Sequence, residues 1–112
     1  MRTTILVVAV FLVLAFALAS AQDPKLVAKG QSLAVQYKCS MCHAVGGKGG
    51  KIGKPFEGVA DRFDAVALKR ILTDPQKEFP DAKIKMPKVA WAAGDIDAVI
   101  AYLQTIKATT PK

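Results

Sequence analysis

Both cysteines and the only histidine of this chain fall within five residues, Cys39-Ser40-Met41-Cys42-His43. The rest of the sequence offers no thiol, no imidazole and no constellation of carboxylates suited to acid–base catalysis. The chain has 112 residues, which points to one domain. A domain of this size builds only a small core and commonly needs a disulfide, a metal or a cofactor as a staple. Whatever staples this chain has to involve the Cys39–His43 cluster.

The first residues do not belong to that core. Met1-Arg2-Thr3-Thr4 is a short positive start, Ile5 to Ala19 is an unbroken apolar run of 15 residues, and Ala19-Ser20-Ala21 is an A-x-A cleavage pattern before Gln22. This is the three-part design of a secretory signal peptide. A run of 15 residues is short of the roughly 17–25 that a membrane helix needs. Residues 1–21 are therefore read as a signal peptide and 22–112 as the mature domain, with no integral membrane span; an uncleaved anchor is the alternative. Export places the domain in an oxidising compartment, the periplasm. Cleavage leaves 91 residues and lowers the formal charge from +7 to +6 by removing Arg2.

Along the mature chain the periodicity is helical. Asp23-Pro24 reads as an N-cap followed by proline at the first helical position. Leu26, Val27, Gly30, Leu33, Ala34 and Tyr37 then recur at helical spacing. Gly30 in mid-helix costs about 1 kcal/mol relative to alanine, which close approach of another element would explain. Residues 46–55, with five glycines and a closing proline, predict an extended loop. Asp64 caps a helix with Val66, Leu68, Ile71 and Leu72 inward and a stop before Pro75. Prolines at 75, 80 and 87 predict irregular chain. A last helix starts near Gly94 or Asp95, with Asp95 and Asp97 in its first turn. Its apolar stripe is Ile96, Val99, Ile100, Leu103 and Ile106, with Tyr102 beside it. No strand-like alternation occurs, so the expected class is all-α, with about three to four helices and long loops.

Within this frame the five-residue cluster acquires a chemistry. Residues three apart on a helical turn lie side by side, about 5–6 Å between Cβ atoms. Two such thiols suit the two vinyl-derived carbons on one edge of a porphyrin, and the adjoining imidazole can swing under the ring to meet the iron. C-x-x-C-H is accordingly a c-type haem attachment pattern. A thioredoxin-like motif needs a preceding strand and a βαβ setting. Zinc needs about four ligands, usually in two separated pairs. A structural disulfide between Cys39 and Cys42 leaves His43 without a role.

From residue 22 onward the chain resembles the class I c-type cytochromes. The attachment site is near the N-terminus, a methionine lies far downstream, and the terminal helix is of the Ala98-Val99-Ile100-Ala101-Tyr102-Leu103 kind. The resemblance implies a small helical bundle around one covalent haem c, with Cys39 and Cys42 attached to it and His43 as one axial ligand. It also implies Met86, in Lys85-Met86-Pro87, as the second. Met41 is locked between the cysteines. Lys83, Lys85 and Lys88 are the next donors to consider, and with no second histidine bis-histidine ligation is excluded. In such proteins a carbonyl on a proline-containing loop accepts the Nδ1–H of the axial histidine. Here Gly53-Lys54-Pro55-Phe56-Glu57-Gly58 resembles that loop, and either Lys54 or Pro55 supplies the carbonyl. Gly30 and Tyr102 resemble the family's first–last helix crossing, although Ala34 stands where an aromatic is common; Tyr37 or Phe56 is a candidate to fill the space. Phe56, Val59, Phe63, Leu68, Ile71 and Leu72 are expected to line the haem. Trp91 is read as covering the haem edge, bonding a propionate through its N–H, or packing plainly. Arg62 is a candidate propionate partner.

A His/Met iron has no open site, which implies one-electron transfer rather than catalysis. The expected protein is a monomeric periplasmic carrier. The alternatives are a haem-c subunit of a larger dehydrogenase or oxidase, and an open-site haem sensor or enzyme. Lys48, Lys51 and Lys54 follow the haem motif, and Lys83, Lys85 and Lys88 flank Met86. They form either a rim that steers an acidic redox partner, such as a dehydrogenase or oxidase, or a generally basic surface. Nucleic acid is not an expected partner, since basic–aromatic interleaving is missing.

Overall fold

A computed structural model of the chain describes residues 22–108; the signal peptide assigned to residues 1–21 lies outside them. The described residues form five α-helices and one 3₁₀ turn. They are α1 (Pro24–Gln36), the turn Cys39–Met41, α2 (Val59–Arg62), α3 (Ala65–Thr73), α4 (Pro75–Glu78) and α5 (Asp95–Thr105). There is no strand among them, only an isolated bridge between Val45 and Lys48. The class is all-α, as expected. Five helices replace the expected three to four because α2 and α4 are single turns of four residues each.

Local chemistry starts and stops these elements. The Asp23 carboxylate accepts from Lys25 N–H at 2.9 Å, with Pro24 at the first helical position of α1. The Asp64 carboxylate accepts from Ala67 N–H at 2.8 Å and opens α3. Asp74-Pro75 repeats the same device: Asp74 accepts from Lys77 N–H at 3.3 Å and Pro75 begins α4. The proline that ends α3 thus starts another turn, where the sequence predicts only irregular chain. Gly94, with φ +82, precedes α5. Asp95 behind it is 7% exposed, accepts from Ala92 N–H at 3.2 Å and pairs with Lys29 of α1 at 3.4 Å.

The core is the packing of α1 and α5 with one face of α3. Leu33, Leu68, Leu72, Ala98, Val99, Ile100 and Leu103 form its buried cluster. Gly30 is the close approach that its position predicts. A Cβ there would stand 2.6 Å from the Ala98 carbonyl carbon, nearer still to its oxygen, and 2.8 Å from Tyr102 Cβ. Val66, expected inward, is 65% exposed. It precedes Leu68 by two residues, roughly 200° round the helix, and Leu68 holds the buried face. Tyr37 meets Trp91 edge-on at 4.9 Å between ring centroids, while Ala34 is buried in α1.

A candidate haem cleft between His43 and Met86

After α1, Lys38 turns the chain in the left-handed region, with φ 55, and the 3₁₀ turn follows. Cys42 N–H and His43 N–H both return to the Cys39 carbonyl, at 3.2 and 3.0 Å. The turn presents two half-buried, unlinked thiols and then the imidazole. Burial pushes the Cys39 thiol up, its own backbone hydrogen bond opposes this, and the charge of Cys42 adds to it.

The glycine-rich loop folds back beside the motif. Gly50 N–H donates to Ser40 O at 2.8 Å, Gly53 N–H to Cys42 O at 2.7 Å and Phe56 N–H to Ala44 O at 3.0 Å. This brings the Lys54 carbonyl to 2.7 Å from His43 Nδ1. The carbonyl can only accept, so Nδ1 carries the proton and Nε2 is left with the free lone pair. Of the two carbonyls expected to hold the histidine, Lys54 does so. Pro55 O instead accepts from Arg62 Nη2 at 3.3 Å, and Glu57 O from Arg62 Nη1 at 3.4 Å. Pro55 therefore holds Arg62 rather than the imidazole.

His43 and Met86 border the same cavity, of about 390 Å³. Phe56, Val59, Phe63, Leu68, Ile71 and Leu72 all line it, and Arg62 joins them. Neither Cys39 nor Cys42 lines it; His43, which follows Cys42 in the chain, does. Met86 is carried on a loop whose carbonyl accepts from Gln76 Nε2 of α4 at 3.4 Å. Ile52, Phe79, Ile84 and Leu103 add further apolar side chains to the wall. Periodicity missed the first three because each is an isolated apolar residue in a loop; the signal was the apolar side chain itself, 60%, 41% and 65% exposed respectively. Trp91 is not part of the wall. Its indole N–H donates to Leu72 O at 2.9 Å, which commits the only polar atom that could have met a propionate. Lys54 and Lys85 stand in the cavity lining, and Lys85 donates to Pro80 O. Lys88 pairs with Asp74 at 3.8 Å, whereas Lys48, Lys51, Lys54 and Lys83 have no acidic partner among the described residues.

The donor set fits a haem: one imidazole nitrogen left free, a thioether on the same apolar cavity, and two thiols three residues apart. An all-α fold built around such a cavity, bordered by the histidine of C-x-x-C-H, defines a c-type cytochrome. Residues 27–107 match the family described as Cytochrome c, and the chain belongs to that family. Its members are electron-transfer haem proteins, with haem c bound covalently. Among solved structures the chain is similar to a cytochrome c from Rhodothermus marinus, with a TM-score of 0.63 and 20% identity over 77% of this chain and 80% of that one. At that identity the likeness is one of fold. No curated protein matches the chain. Among the described residues no helix is long and apolar enough to cross a membrane.

Proposed function

We propose that the mature protein is a monomeric periplasmic one-electron carrier, released by removal of residues 1–21. One haem c is attached to Cys39 and Cys42 and held axially by His43 and Met86. The observation that carries this reading is the shared cavity: the imidazole and the thioether border one apolar space. When bound, the haem supplies the Fe(III)/Fe(II) couple. The chain's residues do the rest. Lys54 O keeps the proton on Nδ1 and makes Nε2 the stronger donor. The Met86 thioether raises the potential, and two protein donors leave no coordination position for oxygen or a substrate. The aromatic and aliphatic walls exclude water. Lys48, Lys51, Lys54 and Lys83 give the region a positive field, which steers an acidic partner of the dehydrogenase or oxidase kind and weakens with salt.

The optical spectrum of protein matured in a haem-loading host tests the ligation. Narrow α and β bands on reduction and a weak far-red band on oxidation are expected. Met86→Ala should lose the far-red band and take up carbon monoxide when reduced. Wild-type protein that binds carbon monoxide rapidly at neutral pH has an open sixth site, and the carrier reading then fails. A mature N-terminus at Gln22 and a monomer on size exclusion complete the reading; a retained Met1 or a stable larger complex favours a tethered subunit.

A further inference from the structure

The His43 ring has more holding it than one hydrogen bond. Phe56 stacks on the imidazole, with ring centroids 5.0 Å apart and planes inclined by only 21°. Gly53 abuts the same ring: a Cβ there would stand 2.5 Å from Nδ1 and 2.9 Å from Nε2, and nearer still to Cε1. Real carbon atoms do not come so close, so residue 53 can carry no side chain while the ring keeps its place. Both residues are registered to the histidine through its neighbours. Gly53 N–H donates to Cys42 O at 2.7 Å and Phe56 N–H to Ala44 O at 3.0 Å. Between them Lys54 O takes the Nδ1 proton at 2.7 Å. The hydrogen bond alone fixes one atom and permits tilting about it. The flat contact and the missing Cβ remove that freedom.

We infer that Gly53 and Phe56 are positioning residues that set the plane of the His43 imidazole, so that the segment 53–56, rather than the bound group, dictates the direction of the axial ligand. This rests on His43 being a haem ligand. The orientation of an axial imidazole about the iron governs the pattern of paramagnetically shifted haem-methyl resonances and the spread of g-values in the oxidised protein. Those two spectra therefore read the clamp directly, without an electron-transfer assay.

The experiment compares the oxidised holoprotein with Phe56→Leu, Phe56→Tyr and Gly53→Ala. Phe56→Leu keeps an apolar side chain but removes the stack. It should shift the haem-methyl resonances and change the g-spread while keeping the far-red band. Phe56→Tyr retains an aromatic face and should restore the wild-type pattern. Gly53→Ala should shift the pattern further, because the added methyl must displace the ring. A merely structural role for Phe56 would lower the unfolding midpoint and leave both spectra as in wild type. Unchanged spectra in folded Phe56→Leu overturn the clamp while the functional reading stands. Should Phe56→Leu fail to fold, unchanged spectra in Gly53→Ala overturn it equally. Wild-type protein without covalent haem removes both readings together.

Discussion

Replacing Gly30 by alanine adds one methyl group to the middle of α1. On an exposed helix that change stabilises by about 0.5–1 kcal/mol, through chain entropy. Here the new Cβ would lie 2.6 Å from the Ala98 carbonyl carbon and 2.8 Å from Tyr102 Cβ. Carbon contacts are comfortable from about 3.5 Å, so α1 and α5 have to part by roughly 1 Å. Neither obstacle can swing aside, since one is backbone of α5 and the other is the first atom of a side chain. Overpacking of this kind costs about 1–3 kcal/mol. Set against the propensity gain, the central expectation is a net loss of about 1 kcal/mol. For a domain of this size that lowers Tm by roughly 4–8 °C. Urea and thermal unfolding followed by far-ultraviolet circular dichroism measure it. Gln31→Gly, on the exposed face one residue on, is the reference for helix propensity and should cost about 1 kcal/mol. If Gly30→Ala matches or exceeds the wild type in stability, the tight crossing of α1 and α5 is wrong.

Further outcomes follow from single contacts. Trp91→Phe removes the donor to Leu72 O and should cost about 1–3 kcal/mol. Its haem spectrum should match the wild type, because the indole lies outside the cavity wall; an altered spectrum contradicts that placement. Lys38→Gly relieves a left-handed residue, worth roughly 1–2 kcal/mol, at an unfolded-state entropy cost of about 0.4–1 kcal/mol. A small rise in the urea midpoint is expected, and a fall would show that Lys38 is unstrained. Burial pushes the Tyr102 phenol up from its ordinary 10.0, and the charge of Glu57 adds to it; the charge of Cys39 adds only while that thiol is free of haem. The folded state therefore holds that proton more tightly than the unfolded chain. The stabilisation is complete below the ordinary phenol value and is lost as pH climbs through the folded one. Alkaline unfolding curves of Tyr102→Phe should lack this loss, and identical curves would remove the argument.

Much of the fold was legible because its signals are local. Asp23 and Asp64 cap their helices through hydrogen bonds reaching only two or three residues. The apolar spacing of α5 marks the stripe it buries, and Gly30 announced a close approach by standing where a helix disfavours it. The single turns were harder. Asp74-Pro75 repeats the Asp23-Pro24 pattern, yet prolines at 75, 80 and 87 read together as breakers. Val66 fits an apolar pattern as well as Leu68 does; which of them is covered depends on where α5 lies. The cavity wall was half visible: residues on helices declared themselves by period, while Ile52, Phe79 and Ile84 sit singly in loops and have none.

The linear order of residues determined the chemistry available here: two thiols three apart, one imidazole, one methionine outside the motif within residues 22–112, and helix ends capped by short-range hydrogen bonds. Covalent spacing and single-turn geometry are enough to specify all of that. Only the tertiary structure decided that Lys54 and not Pro55 meets His43, that Trp91 turns its N–H to Leu72, and that Phe56 lies flat on the imidazole. Those choices depend on how the glycine loop returns across residues 40–44, and on how α3 packs below residue 91. Contacts between segments far apart in sequence are selected by packing and by the need to satisfy every buried polar atom, and no local pattern encodes them.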